Sequence, residues 1–70
     1  MKIIIDVRTR KEFESGHIEG SKNIPVQEIL GHVEEIKAMK SPIVFCCASG
    51  QRSGMAAQYF KEQGVDCSNG

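Results

Sequence analysis

Tryptophan is absent from this sequence, tyrosine occurs once, and neither sign of charge is in excess. Nine basic residues stand against nine acidic ones, so nothing draws the chain as a whole toward nucleic acid or an anionic lipid surface. Any anion it binds must be held by local geometry. No apolar run approaches the length of a membrane span, and the short run after Met1 lacks the cleavage site of a signal peptide, so the chain reads as cytoplasmic and free of membrane contact. Cysteine is scarce and odd in number, three in all, which is poor material for a disulfide framework and favours reduced thiols. Adjacent Cys46 and Cys47, a distant Cys67 and two separated histidines lack the paired spacing of a zinc site, and the expectation is neither metal nor organic cofactor.

What is present is ordinary globular composition, 40% apolar and 26% charged, in 70 residues. That length allows one domain, near the lower limit for a core that stabilises itself. No repeat, low-complexity tract or linker divides it.

Ile3, Ile4 and Ile5 form a continuous β-branched run, the pattern of a central strand over Lys2 to Asp6 buried on both faces. Thr9 followed by Glu12 is a capping-box signature and Gly16 a stop, which predicts a helix over Arg10 to Ser15 with Phe13 inward. A loop through His17 leads to a short extended piece at Asn23 and Ile24 before Pro25. Ile29, Val33 and Ile36 then recur at helical spacing, with Gly31 placed to split the stretch in two. Ile43 to Phe45 read as a second apolar strand that runs into Cys46 and Cys47. Ser53 to Gln63 read as a helix with Ala56, Tyr59 and Phe60 inward, stopped by Gly64, and a further strand is expected from Val65 to Cys67. Strands alternating with helices predict an α/β fold, a small parallel sheet with ligands bound beyond the carboxyl ends of its strands.

Cys47 stands at such an end. The segment Cys47, Ala48, Ser49, Gly50, Gln51, Arg52, Ser53 places a thiol after a strand and a guanidinium at a helix start. Backbone N–H groups of such a loop can converge on one point, and the helix N-terminus adds partial positive charge, so the loop should hold an anion and favour thiolate. The small side chains of Ala48, Ser49 and Gly50 let the backbone approach a bound group closely. A structural cysteine at a strand end would need none of these neighbours.

The run from Cys47 to Ser53 resembles the active-site loop of rhodanese domains, with nucleophile and arginine at that family's spacing. Asp6-Val7-Arg8, Glu12-Phe13, Gly16-His17-Ile18 with Gly20-Ser21, and Asn23-Ile24-Pro25 are similar, in order, to the family's amino-terminal signature, and the matched blocks cover most of the chain. The resemblance implies one rhodanese-like domain over residues 1–70, acting as a thiosulfate sulfurtransferase. Cys47 would carry a persulfide, the loop amides would cradle it, and Arg52 would close the loop and help bind the anion. Asp6 and Arg8 would be supporting residues at the exit of the first strand. The implied partners are thiosulfate and a thiol or thioredoxin-like acceptor. Domains of that family run to about a hundred residues, so the usual carboxyl-terminal strand, glycine-rich turn and helix are expected to be missing, leaving one sheet face poorly covered.

Two other classes compete. Counted from Cys46, five residues precede Arg52, and the run to Gly54 is similar to a tyrosine-phosphatase or arsenate-reductase loop; which cysteine points into the cradle decides between them. Against this, no aspartate occupies an obvious general-acid loop. The other class is a non-catalytic binding or redox-sensing domain, the latter through a strained Cys46–Cys47 disulfide, against which the joint presence of Cys47 and Arg52 counts. His17 reads as a hydrogen-bonded turn residue, His32 as a solvated helix residue, Met39 and Met55 as core or rim packing, and Cys67 as a buried packing residue outside the site.

Overall fold

The structure, a computed structural model, describes residues 1–70. In chain order it contains β1 (Ile3–Asp6), α1 (Arg10–Glu14), β2 (Lys22–Asn23), a 3-10 segment (Val26–His32), α2 (Val33–Lys37), β3 (Ile43–Cys46), α3 (Gln51–Glu62) and β4 (Cys67–Asn69). The strands form one parallel sheet in the order β2-β1-β3-β4. This is the α/β class read from the alternation of strands and helices. None of its helices is long and apolar enough to cross a membrane.

Register explains which side chains share a face. Ile3 lies beside Ile43, Ile5 beside Phe45, and Cys67 beside Ile43, so these residues point to one side. There the Cys67 thiol donates to the Ala57 carbonyl at 3.4 Å, which places α3 over this face. Phe60 of α3 stacks on Phe45 with ring centroids 5.5 Å apart. Ile5, Phe45, Phe60 and Ile36 are fully buried and form the centre of the core.

The opposite face corrects the expectation of strands buried on both sides. Along β3, Ile43 and Phe45 are buried while Val44 and Cys46 are half-buried, the alternation of a sheet packed on one side. Gly70 lies close across this second face, where an added Cβ would come within 2.4 Å of Val44 Cγ1.

Besides shifts of one residue at several element ends, three differences from the sequence reading have a local reason. α3 begins at Gln51, two residues before Ser53. Gly50, with φ +86°, turns the chain into the helix, and the Gly54 N–H closes its first turn on the Gly50 carbonyl at 2.9 Å, so the helix is already formed ahead of Ser53. β4 begins at Cys67 rather than Val65, because the Val65 N–H caps α3 by donating to the Phe60 carbonyl at 2.9 Å while Gly64 turns at φ +85°. The stretch after Pro25 does divide in two, but its first part is 3-10 rather than α, opened by Glu28 N–H on the Pro25 carbonyl at 2.8 Å. Of the residues read as packing, Met39 lies against the core, whereas Met55 is 69% exposed on the outer side of α3.

Candidate active site

Everything of chemical interest gathers at the carboxyl ends of β1 and β3. The exit of β1 is fixed first. Asp6, buried, takes the Arg8 backbone N–H at 3.0 Å and both its Nε and a terminal nitrogen, the last at 2.8 Å. Burial pushes the Asp6 carboxyl up, and the Arg8 bonds outweigh it, leaving the group below its ordinary value. Arg8 also donates to the Gly16 carbonyl at 2.7 Å, and the Asn23 amide donates to the Asp6 and Arg8 carbonyls at 2.9 and 3.0 Å. Asp6 and Arg8 therefore hold the turn after β1 against the loop after α1 and against β2.

Cys47 follows β3 directly, and its sulfur is the point on which the next loop closes. Gly50 N–H donates to Sγ at 3.1 Å and Ser53 N–H at 3.4 Å, while the Ser53 hydroxyl lies 3.3 Å away. The left-handed turn at Gly50 and the early start of α3 aim these groups inward, and Sγ sits at the first turn of a helix of 12 residues. Partial burial raises the thiol, but the Ser53 hydroxyl and the N–H groups of Ser53, Gly50 and Ser49 outweigh it and bring Cys47 down to about 7. Ala48, Ser49 and Gln51 are exposed and form the rim; the Gln51 N–H reaches back to the Ser49 hydroxyl at 3.4 Å.

Arg52, expected to close the loop and help bind the anion, stands in the first turn of α3, where its two terminal nitrogens donate to both carboxylate oxygens of Glu12, at 2.9 and 3.1 Å, a partner the sequence reading did not give it. Glu12 also accepts the Thr9 N–H at 2.9 Å in a complete capping box, so one carboxylate ties the start of α1 to the start of α3. The Arg52 side chain and the Thr9 groups overcome a small desolvation cost and hold Glu12 down to about 2.

Cys46 faces the other way. It lines a cavity of about 430 Å³ together with Asp6, Arg8, His17, Ile18, Cys47, Ala48 and Gly70. Burial, then the nearby Asp6 charge, pushes its thiol above the ordinary value. Cys47 and not Cys46 is the thiol inside the amide cradle, which removes the geometry that a phosphatase loop counted from Cys46 requires. His17 stacks on Phe13 with centroids 3.6 Å apart and bonds through Nδ1 to the Phe13 carbonyl at 2.7 Å, as a turn residue does. His32 bonds to Glu35 at 2.8 Å, and buried Cys67 lies outside the site. No three His, Cys, Asp or Glu side chains converge as metal ligands would.

Two residues that complete the site escaped the sequence reading. Glu12 was explained by its capping box, which hid its second task. Asn69 carries no local signal at all: it comes to the site only because β4 pairs with β3, and there Nδ2 donates to the Gly50 carbonyl at 3.1 Å while Oδ1 accepts a short hydrogen bond from the Ser53 hydroxyl.

The chain is 43% identical over 61 residues to the uncharacterized protein YqhL of Bacillus subtilis, an alignment covering 87% of this chain and 48% of that protein. It is 41% identical over 63 residues to the thiosulfate sulfurtransferase GlpE of Shewanella oneidensis, covering 90% of this chain and 61% of the relative, so it spans about half to three fifths of these curated relatives. Among solved structures, the rhodanese-related protein of Thermoplasma volcanium superposes with a TM-score of 0.90 at 26% identity, over 97% of this chain and 67% of the other. The model of the Rhodanese-like domain matches residues 1–69, and with the parallel sheet and the amide cradle around Cys47 already established, this chain belongs to the rhodanese-like domain family.

Proposed function

We propose that this domain is a sulfurtransferase that receives sulfane sulfur on Cys47 and passes it to a second nucleophile. The single observation that carries this reading is the convergence of the Gly50 and Ser53 N–H groups on Cys47 Sγ, at 3.1 and 3.4 Å. With the thiol lowered to about 7, a large thiolate fraction is present near neutral pH.

Thiosulfate is the donor that suits the site. The Cys47 thiolate attacks its outer sulfur, the S–S bond of thiosulfate breaks, and that electron pair leaves with sulfite. The product is a persulfide whose terminal sulfur carries the negative charge. In the second half-reaction an acceptor nucleophile, cyanide in an assay or the thiolate of a thioredoxin-like protein, attacks the terminal sulfur and carries it away as thiocyanate or as a new persulfide. The bond to Sγ breaks and its electron pair returns to Cys47 as thiolate. Both arginines at this end of the sheet are already paired with carboxylates, Arg8 with Asp6 and Arg52 with Glu12. The loop amides and the start of α3 supply most of the field that an anionic sulfur meets, and the Arg52 charge adds to it through space.

The test is intact mass after incubation with thiosulfate. Wild type and Cys46→Ser are expected to gain about one sulfur, ~32 Da, which cyanide removes, and Cys47→Ser to gain none. A gain that persists in Cys47→Ser, or no gain on the folded wild-type chain, overturns the reading.

A further inference from the structure

The Ser53 hydroxyl has one hydrogen and two neighbours that can accept it. One is Cys47 Sγ at 3.3 Å, and the other is Asn69 Oδ1, joined to it by the short hydrogen bond. The Asn69 amide cannot turn over freely, because Nδ2 donates to the Gly50 carbonyl at 3.1 Å and so presents Oδ1, an acceptor only, to Ser53. When the hydroxyl hydrogen points to Asn69, the oxygen shows lone pairs to Cys47 and suits a sulfur without charge. When it points to Sγ, it stabilises thiolate and leaves Asn69 Oδ1 without its donor. The two arrangements exclude each other.

We propose that Asn69 is a positioning residue that competes with Cys47 for the Ser53 hydroxyl hydrogen, so that this hydrogen follows the charge on the Cys47 sulfur. The inference rests on the sulfurtransferase reading for its consequence. In the thiolate state the Ser53 hydroxyl hydrogen points to Sγ. As Sγ attacks, its charge passes to the leaving group and then resides on the terminal sulfur of the persulfide, and the inner sulfur no longer rewards a donor. The hydroxyl turns to Asn69, where an acceptor waits. No covalent bond to hydrogen breaks; a single O–H bond rotates between two acceptors. Asn69 thereby favours the uncharged states of Sγ, the thiol and the persulfide's inner sulfur, and the acidity of Cys47 is a balance between the amide cradle and this competitor.

The other ionisable groups around Cys47 are Asp6 and Arg8 after β1, Glu12 of α1, His17 beyond it, Cys46 of β3 and Arg52 of α3, and none of them hydrogen-bonds to Sγ. A structural role for Asn69 alone makes an opposite forecast: losing its clamp on Gly50 would loosen the loop and make Cys47 less acidic.

The experiment is the pH dependence of iodoacetamide labelling at Cys47, located by peptide mass, in wild type, Asn69→Ala, Asn69→Asp, Ser53→Ala and the two Ser53→Ala double variants. No sulfur donor is present, so the result is independent of whether the persulfide assay succeeds. Asn69→Ala is expected to lower the labelling midpoint by roughly half a pH unit or more, the scale of one neutral hydrogen bond. Asn69→Asp, a stronger acceptor for the same hydrogen, should raise it, and by more than in the Ser53→Ala background. Asn69→Ala should have no effect on the midpoint once Ser53 is alanine. Thermal melts identify a variant that fails to fold; if Asn69→Ala does, the Asn69→Asp pair still decides. A raised midpoint in Asn69→Ala, or shifts of equal size with and without the Ser53 hydroxyl, overturns the proposal.

Discussion

Cys46 and Cys47 are neighbours in the chain and both border one cavity, but their sulfurs have different surroundings. Because successive residues of an extended segment point to opposite sides, one sulfur meets N–H groups at the start of α3 and the other meets the half-open face of the sheet beside Asp6. Burial raises both thiols. Hydrogen bonding to the sulfur then separates them, and only Cys47 has it. Acidity at this site thus comes chiefly from directed donors, with the Arg52 charge acting on Cys47 only through space, since the two nearby arginines are bound to carboxylates of their own.

The largest expected difference is between the labelling profiles of the two thiols. Cys47 should label with a midpoint near pH 7, and Cys46 only above the ordinary thiol value of 9.0, when peptide masses are followed against pH. Coincident profiles would erase the comparison. Next in size is Gly50→Ala. A Cβ there has room, its nearest neighbour being Asn69 Nδ2 at 3.7 Å, so the cost is that of placing alanine at φ +86°, about 1–2 kcal/mol. Chemical denaturation should show that loss, and the Cys47 midpoint should rise while that of Cys46 stays.

The smallest effect concerns the strut that joins the two halves of the site without touching either sulfur. Glu12 is held at about 2 against an ordinary 4.5, so its ion pair with Arg52 contributes stability above pH 4.5 that is lost as pH falls toward 2. Because both side chains are partly exposed, the contribution is modest. In Glu12→Gln, melting temperature should change less between pH 4.5 and pH 2 than in wild type, with the order of the two thiols unaltered. An equal acid sensitivity would show that the strut carries no stability.

Local signals in the chain announced most of the frame. The apolar runs before Asp6 and Cys46, the Thr9–Glu12 capping box and Gly64 mark elements that the structure contains, because each signal acts within one strand or one turn of helix. Where a residue serves two elements, the local reading stopped at the first. Glu12 looked like a cap alone and also holds Arg52; Val65 looked like a strand and instead caps α3.

By itself the sequence determined the alternation of strands and helices, the thiol at a strand end, and the small-residue loop followed by a helix that makes an anion cradle possible. These are properties of neighbours along the chain. Only the tertiary structure decided which of two adjacent thiols enters the cradle, that Arg52 answers Glu12 forty residues away, and that Asn69 reaches Gly50 and Ser53. The physical reason is that hydrogen-bond partners are fixed by strand register and by the path of the chain between strands. A side chain's task at the sheet end therefore depends on residues that no local pattern connects to it.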